Sequence, residues 1–202
     1  MTEQLKITRF DMKNIPQVME VVLPLWGPPD ADEKFRKLDV EFIVRNNIYD
    51  LELSMQLTDE SRQECDKLLS AAFATRKTDR NNAREWLAEH SKNVSVSERI
   101  SLSMVIEYLE YMDRKTLSFM NDDDIKLSLF VSRKKGAGSA LLKQMTEKLK
   151  GIGYRNMYLW TDVDCNWQWY TKNGYTYVSE ETYVPFSDEY RDYKTFIFKK
   201  AL

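Results

Sequence analysis

A basic, glycine-containing turn in the last third of the chain constrains the fold more than any other segment. Residues 125–131 form an apolar run typical of a strand, and residues 139–145 carry apolar side chains at helical spacing. Between them stands Arg133-Lys134-Lys135-Gly136-Ala137-Gly138. A helix that begins after such a turn presents unbonded N–H groups and the positive end of its dipole. The sequence therefore predicts a strand–turn–helix unit that holds phosphate.

Length and composition predict one folded domain across residues 1–202. The chain has 202 residues, 43% of them hydrophobic and 31% charged, and its formal net charge is −2. Because the whole molecule does not attract polyanions, any anion site must be local, and no nucleic-acid partner is expected. The single histidine His90 and the cysteines Cys65 and Cys165 offer no metal-ligand pattern, so no metal is predicted.

The start of the chain lacks the apolar stretch of a signal peptide, and no run approaches the length of a membrane span. We therefore expect a cytoplasmic protein with no membrane partner.

Strands and helices alternate along the sequence, which predicts a mixed α/β fold. Helical patterns run over 14–25, 31–46, 81–119, 136–150 and 166–172. Strand-like segments run over 5–10, 49–57, 68–75, 125–131, 156–160, 175–184 and 195–199, and the pair 49–57 and 68–75 should form a hairpin. Ser95 and Glu98 are spaced as a capping box at the start of a long helix.

Two motifs in the correct order resemble the GCN5-related N-acetyltransferase (GNAT) superfamily. The basic turn matches that family's [RQ]-x-x-G-x-[GA] pyrophosphate loop, and Tyr170-Thr171-Lys172-Asn173-Gly174-Tyr175 matches its Y-x-x-x-G-[FY] signature. Cys165-Asn166-Trp167 before that tyrosine is similar to a subgroup of the family. The resemblance covers residues 125–178. It implies a single domain with a central, mostly antiparallel mixed sheet flanked by helices, and acetyl transfer from acetyl-CoA to a primary amine.

The resemblance also implies the coenzyme site. The pyrophosphate would accept hydrogen bonds from the backbone of Lys134, Lys135, Gly136, Ala137, Gly138 and Ser139, with Arg133 supplying charge and Asn166 contacting the pantetheine amides. The strand donor to the thioester carbonyl would be Phe130 or Val131. Only Ser132 separates Val131 from Arg133 here, so Ser128 is an alternative for that position.

Tyr170 is the implied general acid for the departing thiolate, unless it is a core tyrosine. The base is open among Asp162, Glu52 and bulk water.

The acceptor side is less defined by the sequence. Trp26 stands where the family builds its acceptor pocket, and it would contact either the acceptor or the core. Residues 81–119 exceed the family's usual short connection and predict a helical insertion with the apolar stripe Ile100, Val105, Leu109 and Met112. This insertion would be extra packing, a cover over the acceptor pocket or the interface of a homodimer.

The expected partner is a small-molecule or peptide amine. The alternative function is a catalytically inactive acyl-CoA sensor on the same fold. A nucleotide-binding P-loop is disfavoured because the spacing G-x-x-x-x-G-K-[ST] is absent.

Overall fold

A seven-stranded sheet forms the centre of the computed structural model, which describes residues 4–202. Its order is β1-β2-β3-β4-β5-β7-β6. All neighbouring strands are antiparallel except β4 and β5, which are parallel. The mixed, mostly antiparallel sheet is as predicted. The strands are β1 (Leu5–Arg9), β2 (Ser54–Asp59), β3 (Leu68–Thr75), β4 (Asp124–Ser132), β5 (Asn156–Asp162), β6 (Thr176–Thr182) and β7 (Lys194–Ala201).

Six α-helices flank the sheet within the described residues. Helix α5 covers one face, where Leu141, Met145 and Leu149 are buried among residues of β2, β3 and β7. Helices α1 and α2 cover the other face around Val18 and Val44. The bounds are α1 (Ile15–Trp26), α2 (Glu33–Asn46), α3 (Ala83–His90), α4 (Val96–Ser118), α5 (Ala137–Ile152) and α6 (Gln168–Lys172).

A β-bulge at Ser128 changes the direction of β4. Leu129 pairs with Phe73, and Leu127 pairs with the next residue, Ala74, so Ser128 is the extra residue. Side chains alternate faces along a strand, and one extra residue reverses that alternation. Accordingly, Leu127 is buried on the α5 side, whereas Leu129 is buried on the α1 side.

The two parallel strands separate beyond the bulge. β4 and β5 pair only from Asp124 to Lys126 and from Asn156 to Tyr158. From there β4 continues along β3 as far as Ser132, while β5 continues along β7 as far as Asp162. A cleft therefore opens in the middle of the sheet, between the carboxyl halves of β4 and β5.

The segment predicted as an insertion forms α3 and α4. The capping box is confirmed, because the N–H of Glu98 donates to Ser95 Oγ (3.2 Å) and the N–H of Ser95 donates to a Glu98 carboxylate oxygen (2.6 Å). Of the predicted apolar stripe, Leu109 and Met112 are buried, but Ile100 is 59% exposed. The stripe therefore packs on the protein only along the later part of α4.

The strand predicted over 49–57 is wrong in its first part. β2 begins at Ser54, and the preceding Leu51–Leu53 is a 3-10 helix. The Asp50 side chain accepts the N–H of Glu52 (2.8 Å), and the hydroxyl of Ser54 donates to the carbonyl of Asp50 (2.9 Å). These local bonds stabilise a turn against extension of the strand.

No helix among residues 4–202 is long and apolar enough to cross a membrane.

Candidate active site

The cleft between β4 and β5 holds a cavity of about 1070 Å³. Both motifs of the sequence reach it: residues 133–136, Gly138 and Ser139 line one end, and Asn166 and Tyr170 line the adjacent wall. Phe130, Val131, Asp162 and Trp26 also line it. Nearly all the predicted site residues, distant in sequence, therefore meet at one cavity, with Ala137 and Glu52 as the exceptions within the described chain.

The turn before α5 is shaped to receive an anion. Gly136 has φ +88°, in the left-handed region that favours glycine. Ala137 N–H donates to the carbonyl of Lys134 (3.1 Å) and Ala140 N–H to that of Gly136 (3.1 Å). In the described part of the chain, the intervening N–H groups of Gly138 and Ser139 have no carbonyl partner. Two donors and the positive end of the α5 dipole thus converge at the cavity.

Ala137 differs from its neighbours in the turn. It is 8% exposed in the core, and its N–H is bonded within the turn. The structure therefore does not offer Ala137 as a donor to the cavity.

Arg133 is held by the protein itself. Its guanidinium donates to the carbonyl of Gln17 (3.1 Å) and forms ion pairs with Glu20 and with Asp66 (3.3 Å). These bonds join the turn to α1 and to the β2–β3 connection. Two carboxylates therefore already pair with Arg133, whereas Lys135 is exposed at the rim.

The register of β4 distinguishes the two predicted strand donors. Arg133 N–H donates to the carbonyl of Leu69 (2.8 Å). Hydrogen-bonded and non-hydrogen-bonded pairs alternate in an antiparallel ladder, so Val131, two residues earlier, also bonds to β3. The backbone N–H of Phe130 is directed to the opposite edge, which is the cleft.

Ser128 is the alternative to Phe130 and Val131 as the strand residue that meets the thioester, and its side chain hydrogen-bonds within the protein. Its hydroxyl lies within hydrogen-bond distance of the carbonyls of Asn47 (2.7 Å) and Phe73 (3.1 Å). The Ser128 hydroxyl therefore stabilises the bulge.

Three aromatic rings fix the position of Tyr170. Its ring stacks on Phe198 (5.7 Å between centroids, 29°) and stands edge-on to Tyr175 (5.2 Å) and Trp169 (5.4 Å). No residue in 4–202 hydrogen-bonds to its hydroxyl, which belongs to a side chain in the cavity wall. Burial raises the pKa of Tyr170 well above its usual value, so the phenol stays protonated at neutral pH.

Asp162 is the buried acid of the cavity. It is 5% exposed, and its carboxylate accepts the hydroxyl of Tyr108 (3.0 Å) and the N–H of Asp164 (3.1 Å). Burial raises the pKa of Asp162, and hydrogen bonding from Tyr193 and Tyr108 acts in the opposite direction. A carboxylate of raised pKa is a stronger base than an ordinary aspartate.

The structure does not bring Glu52 to the site. Glu52 lies before β2, at the opposite end of the sheet, where its carboxylate is 69% exposed and pairs with Arg9. The sequence prediction failed because it placed Glu52 inside a strand.

Cys165 also lines the cavity, but burial raises the pKa of its thiol to about 12. Cys165 therefore remains a thiol, which is a poor nucleophile.

The cavity residues that the sequence analysis did not predict include Tyr108, Phe186, Arg191 and Tyr193. Tyr108 comes from α4 of the predicted insertion, and the other three come from the β6–β7 connection. The aromatic side chains of residues 183–193 were visible in the sequence, but no motif indicates how that loop folds. Trp26, the last residue of α1, is the acceptor-side residue that the sequence did single out.

No protein-family model matches the sequence, and no curated protein matches it either. Similar folds are found among solved structures. A mutant agmatine N-acetyltransferase in its apo form is 14% identical with a TM-score of 0.57, over 98% of this chain and 99% of that one. The Drosophila melanogaster polyamine N-acetyltransferase is 14% identical with a TM-score of 0.56, over 98% and 100%.

A chain of the NatC complex bound to Gag peptide and CoA is 10% identical with a TM-score of 0.52, over 98% of this chain and 99% of that one. These likenesses span nearly the whole of each chain. The chain therefore has the GCN5-related N-acetyltransferase fold.

Proposed function

We propose that this protein is an acetyl-CoA-dependent N-acetyltransferase that acts by direct attack of a primary amine. The observation that carries the proposal is that one cavity joins the anion-binding turn, the free edge of β4 and the Tyr170 phenol. N-acetyltransferases of the same fold, including one bound to CoA, support it.

The turn residues fit a pyrophosphate on structural grounds. The unbonded N–H groups of Gly138 and Ser139, the left-handed Gly136 and the exposed Lys135 form a cradle for two phosphates. A side chain at position 138 would clash with β4, because its Cβ would lie 2.6 Å from Phe130 Cζ, so the turn keeps this position only with glycine.

Acetyl-CoA supplies the acyl group as an activated thioester. The thioester oxygen gains negative charge as the amine attacks, and in this proposal the outward N–H of Phe130 donates to it. The new C–N bond forms as the C–S bond breaks. The protonated phenol of Tyr170 donates its proton to the departing sulfur. The nitrogen, which is cationic after its attack, then loses its second proton, and this proton returns the Tyr170 phenolate to a phenol.

An ammonium group must lose a proton before it can attack. Asp162 accepts that proton in this proposal, directly or through the hydroxyl of Tyr108, since its carboxylate is buried at the same cavity. Glu52 does not act as the base in this proposal, because it lies outside the cavity.

The test combines coenzyme binding with a chemical readout. Purified protein is titrated with CoA by calorimetry and then assayed for thiol release from acetyl-CoA with a panel of amines. We expect micromolar coenzyme binding and amine-dependent thiol release. Tight binding of CoA with no release for any amine would instead support the inactive sensor, and failure to bind CoA would reject both functions.

A further inference from the structure

The acceptor part of the cavity is mainly apolar. We call it the acceptor compartment and define it by Trp26, Val105, Tyr108, Trp160, Phe186 and Tyr193. Its walls come from α1, α4, β5 and the β6–β7 connection. Leu109 and Ile43 extend the apolar surface. An acceptor that fills this compartment must bury a hydrophobic body.

The compartment holds a single unbalanced charge. Beyond the turn at residues 133–139, the charged residues that line the described cavity are Asp162, Asp164 and Arg191. Arg191 forms an ion pair with Asp164, and that pair is partly exposed at the rim. Asp162 remains as the buried carboxylate. One ammonium group can be neutralised here, whereas a second would be buried without a partner, at a large cost in free energy.

Aromatic side chains surround the anchor. The ring of Tyr108, whose hydroxyl donates to Asp162, lies 5.5 Å from Trp160 and 4.9 Å from Phe186. Tyr193 lies 5.8 Å from the same ring. Aromatic faces attract ammonium groups and pack edge-to-face with aromatic ligands.

The β6–β7 connection covers the far side of the compartment. Tyr183 packs on Tyr108 (4.8 Å) and on Tyr111 (5.5 Å) of α4. The Arg191–Asp164 pair joins this connection to the turn after β5. The connection therefore bounds the compartment on this side, which favours a small molecule over an extended peptide chain that would have to pass through it.

We infer that the acceptor is a small primary amine with one ammonium group on an aromatic or alkyl body, anchored at Asp162, rather than a polyamine or a peptide. This inference rests on the proposed function and specifies its substrate class. It also makes Asp162 and Tyr108 the residues that bind the amine.

Matched amines test the inference. Butylamine and putrescine have the same chain length and differ by one ammonium group, and 2-phenylethylamine adds an aromatic ring. We expect kcat/KM from thiol release to be at least about tenfold higher for butylamine than for putrescine, and highest for 2-phenylethylamine. A putrescine value equal to or above that of butylamine would overturn the inference, as would a tripeptide with a free α-amine that exceeds both.

Calorimetry tests the class of amine that binds separately from acetyl transfer. Binding of the same amines to CoA-saturated protein should show the same order. If no amine releases thiol, the proposed function fails, yet the order of amine affinities still supports or overturns the single-ammonium compartment.

Two variants locate the anchor. Asp162→Asn should raise the KM for 2-phenylethylamine by about tenfold or more and leave the KM for acetyl-CoA within about twofold. Asp192→Asn makes the same change at an exposed position of the β6–β7 connection and should leave both constants unchanged. If Asp162→Asn fails to fold, Tyr108→Phe serves instead, with an expected rise of about threefold in the amine KM. An unchanged amine KM in the folded variant would refute the anchor.

Discussion

The backbone of Gly138 lies so close to the ring of Phe130 that a Cβ at position 138 would be 2.6 Å from Phe130 Cζ and 3.0 Å from Ser132 Cβ. Gly138→Ala should therefore displace the start of α5 from the end of β4. Because the unbonded N–H groups move with it, we expect coenzyme affinity to fall by about tenfold or more, measured by calorimetric titration with CoA.

Gly151 provides the matched control for this substitution. It lies in the same helix, and a Cβ there would meet nothing within 4 Å. Gly151→Ala should leave CoA affinity unchanged and raise the free energy of unfolding by less than about 1 kcal/mol, since Gly151 lies in the last turn of α5, where alanine is still a better helix former than glycine. If the Gly138→Ala protein bound CoA as tightly as the unmodified protein, the close approach of Gly138 to β4 would not be required for coenzyme binding.

The sequence predicted individual turns, helix starts and strands better than it predicted the cleft where they come together. The turn around Gly136, the start of α4 at Ser95 and most strands follow from spacing and capping chemistry, which act within a few residues. The bulge at Ser128 does not, because it depends on the carbonyls of Asn47 and Phe73, far away in sequence. The cleft follows from that bulge, so its position could not be read from the chain.

In the candidate site, too, residues within motifs could be predicted, whereas contacts between distant parts of the chain could not. Tyr170 and the turn residues were found because they belong to motifs. Arg133 was assigned to the coenzyme by its place in the motif, but its partners Glu20 and Asp66 come from other parts of the chain. Arg191 lies on a loop without sequence periodicity, and only the fold brings it to Asp164.

A buried ion pair joins α4 to the strand that borders the cleft. Lys126 Nζ is 2.6 Å from a carboxylate oxygen of Asp113, which also accepts the indole N–H of Trp160 (2.7 Å). Lys126 is 1% exposed. Lys126→Met should lower the free energy of unfolding by about 3–5 kcal/mol in urea titrations, because it leaves the Asp113 carboxylate without its cation.

The double variant Lys126→Met/Asp113→Asn removes both charges and keeps an acceptor for the Trp160 indole. Its loss of stability should be smaller than the sum of the two single losses by about 1 kcal/mol or more. The exposed pair Lys37–Glu33 is the control, and Lys37→Met should cost less than about 0.5 kcal/mol. Additive losses would show that Lys126 and Asp113 are not coupled.

Asp39 makes stability depend on pH. It is 2% exposed, one of its carboxylate oxygens has no hydrogen-bond partner in residues 4–202, and burial raises its pKa to about 7. Between about pH 4 and 7 the unfolded chain releases this proton while the folded protein keeps it, so stability falls as pH rises. The full loss above pH 7 is of order 4 kcal/mol.

Asp39→Asn should remove this dependence. The melting temperature of the variant relative to the unmodified protein should rise from pH 4.5 to pH 8, measured by differential scanning calorimetry. Asp30→Asn makes the same change at an exposed position and should show no such trend. A difference that stays constant with pH would mean that Asp39 has an ordinary pKa in the folded protein.

Transfer of an isotope-labelled acetyl group from acetyl-CoA to 2-phenylethylamine tests the central claim most directly, with Tyr170→Phe and Tyr175→Phe beside the unmodified protein. Tyr175 packs edge-on to Tyr170 but is not among the described residues that line the cavity. We predict that mass spectrometry detects labelled product with the unmodified protein. Tyr170→Phe should lower kcat about 100-fold and keep the KM for acetyl-CoA within about twofold of that of the unmodified protein, and Tyr175→Phe should transfer the acetyl group at a near-normal rate. Transfer by Tyr170→Phe at the unmodified rate would contradict the account, as would CoA binding without labelled product from any amine.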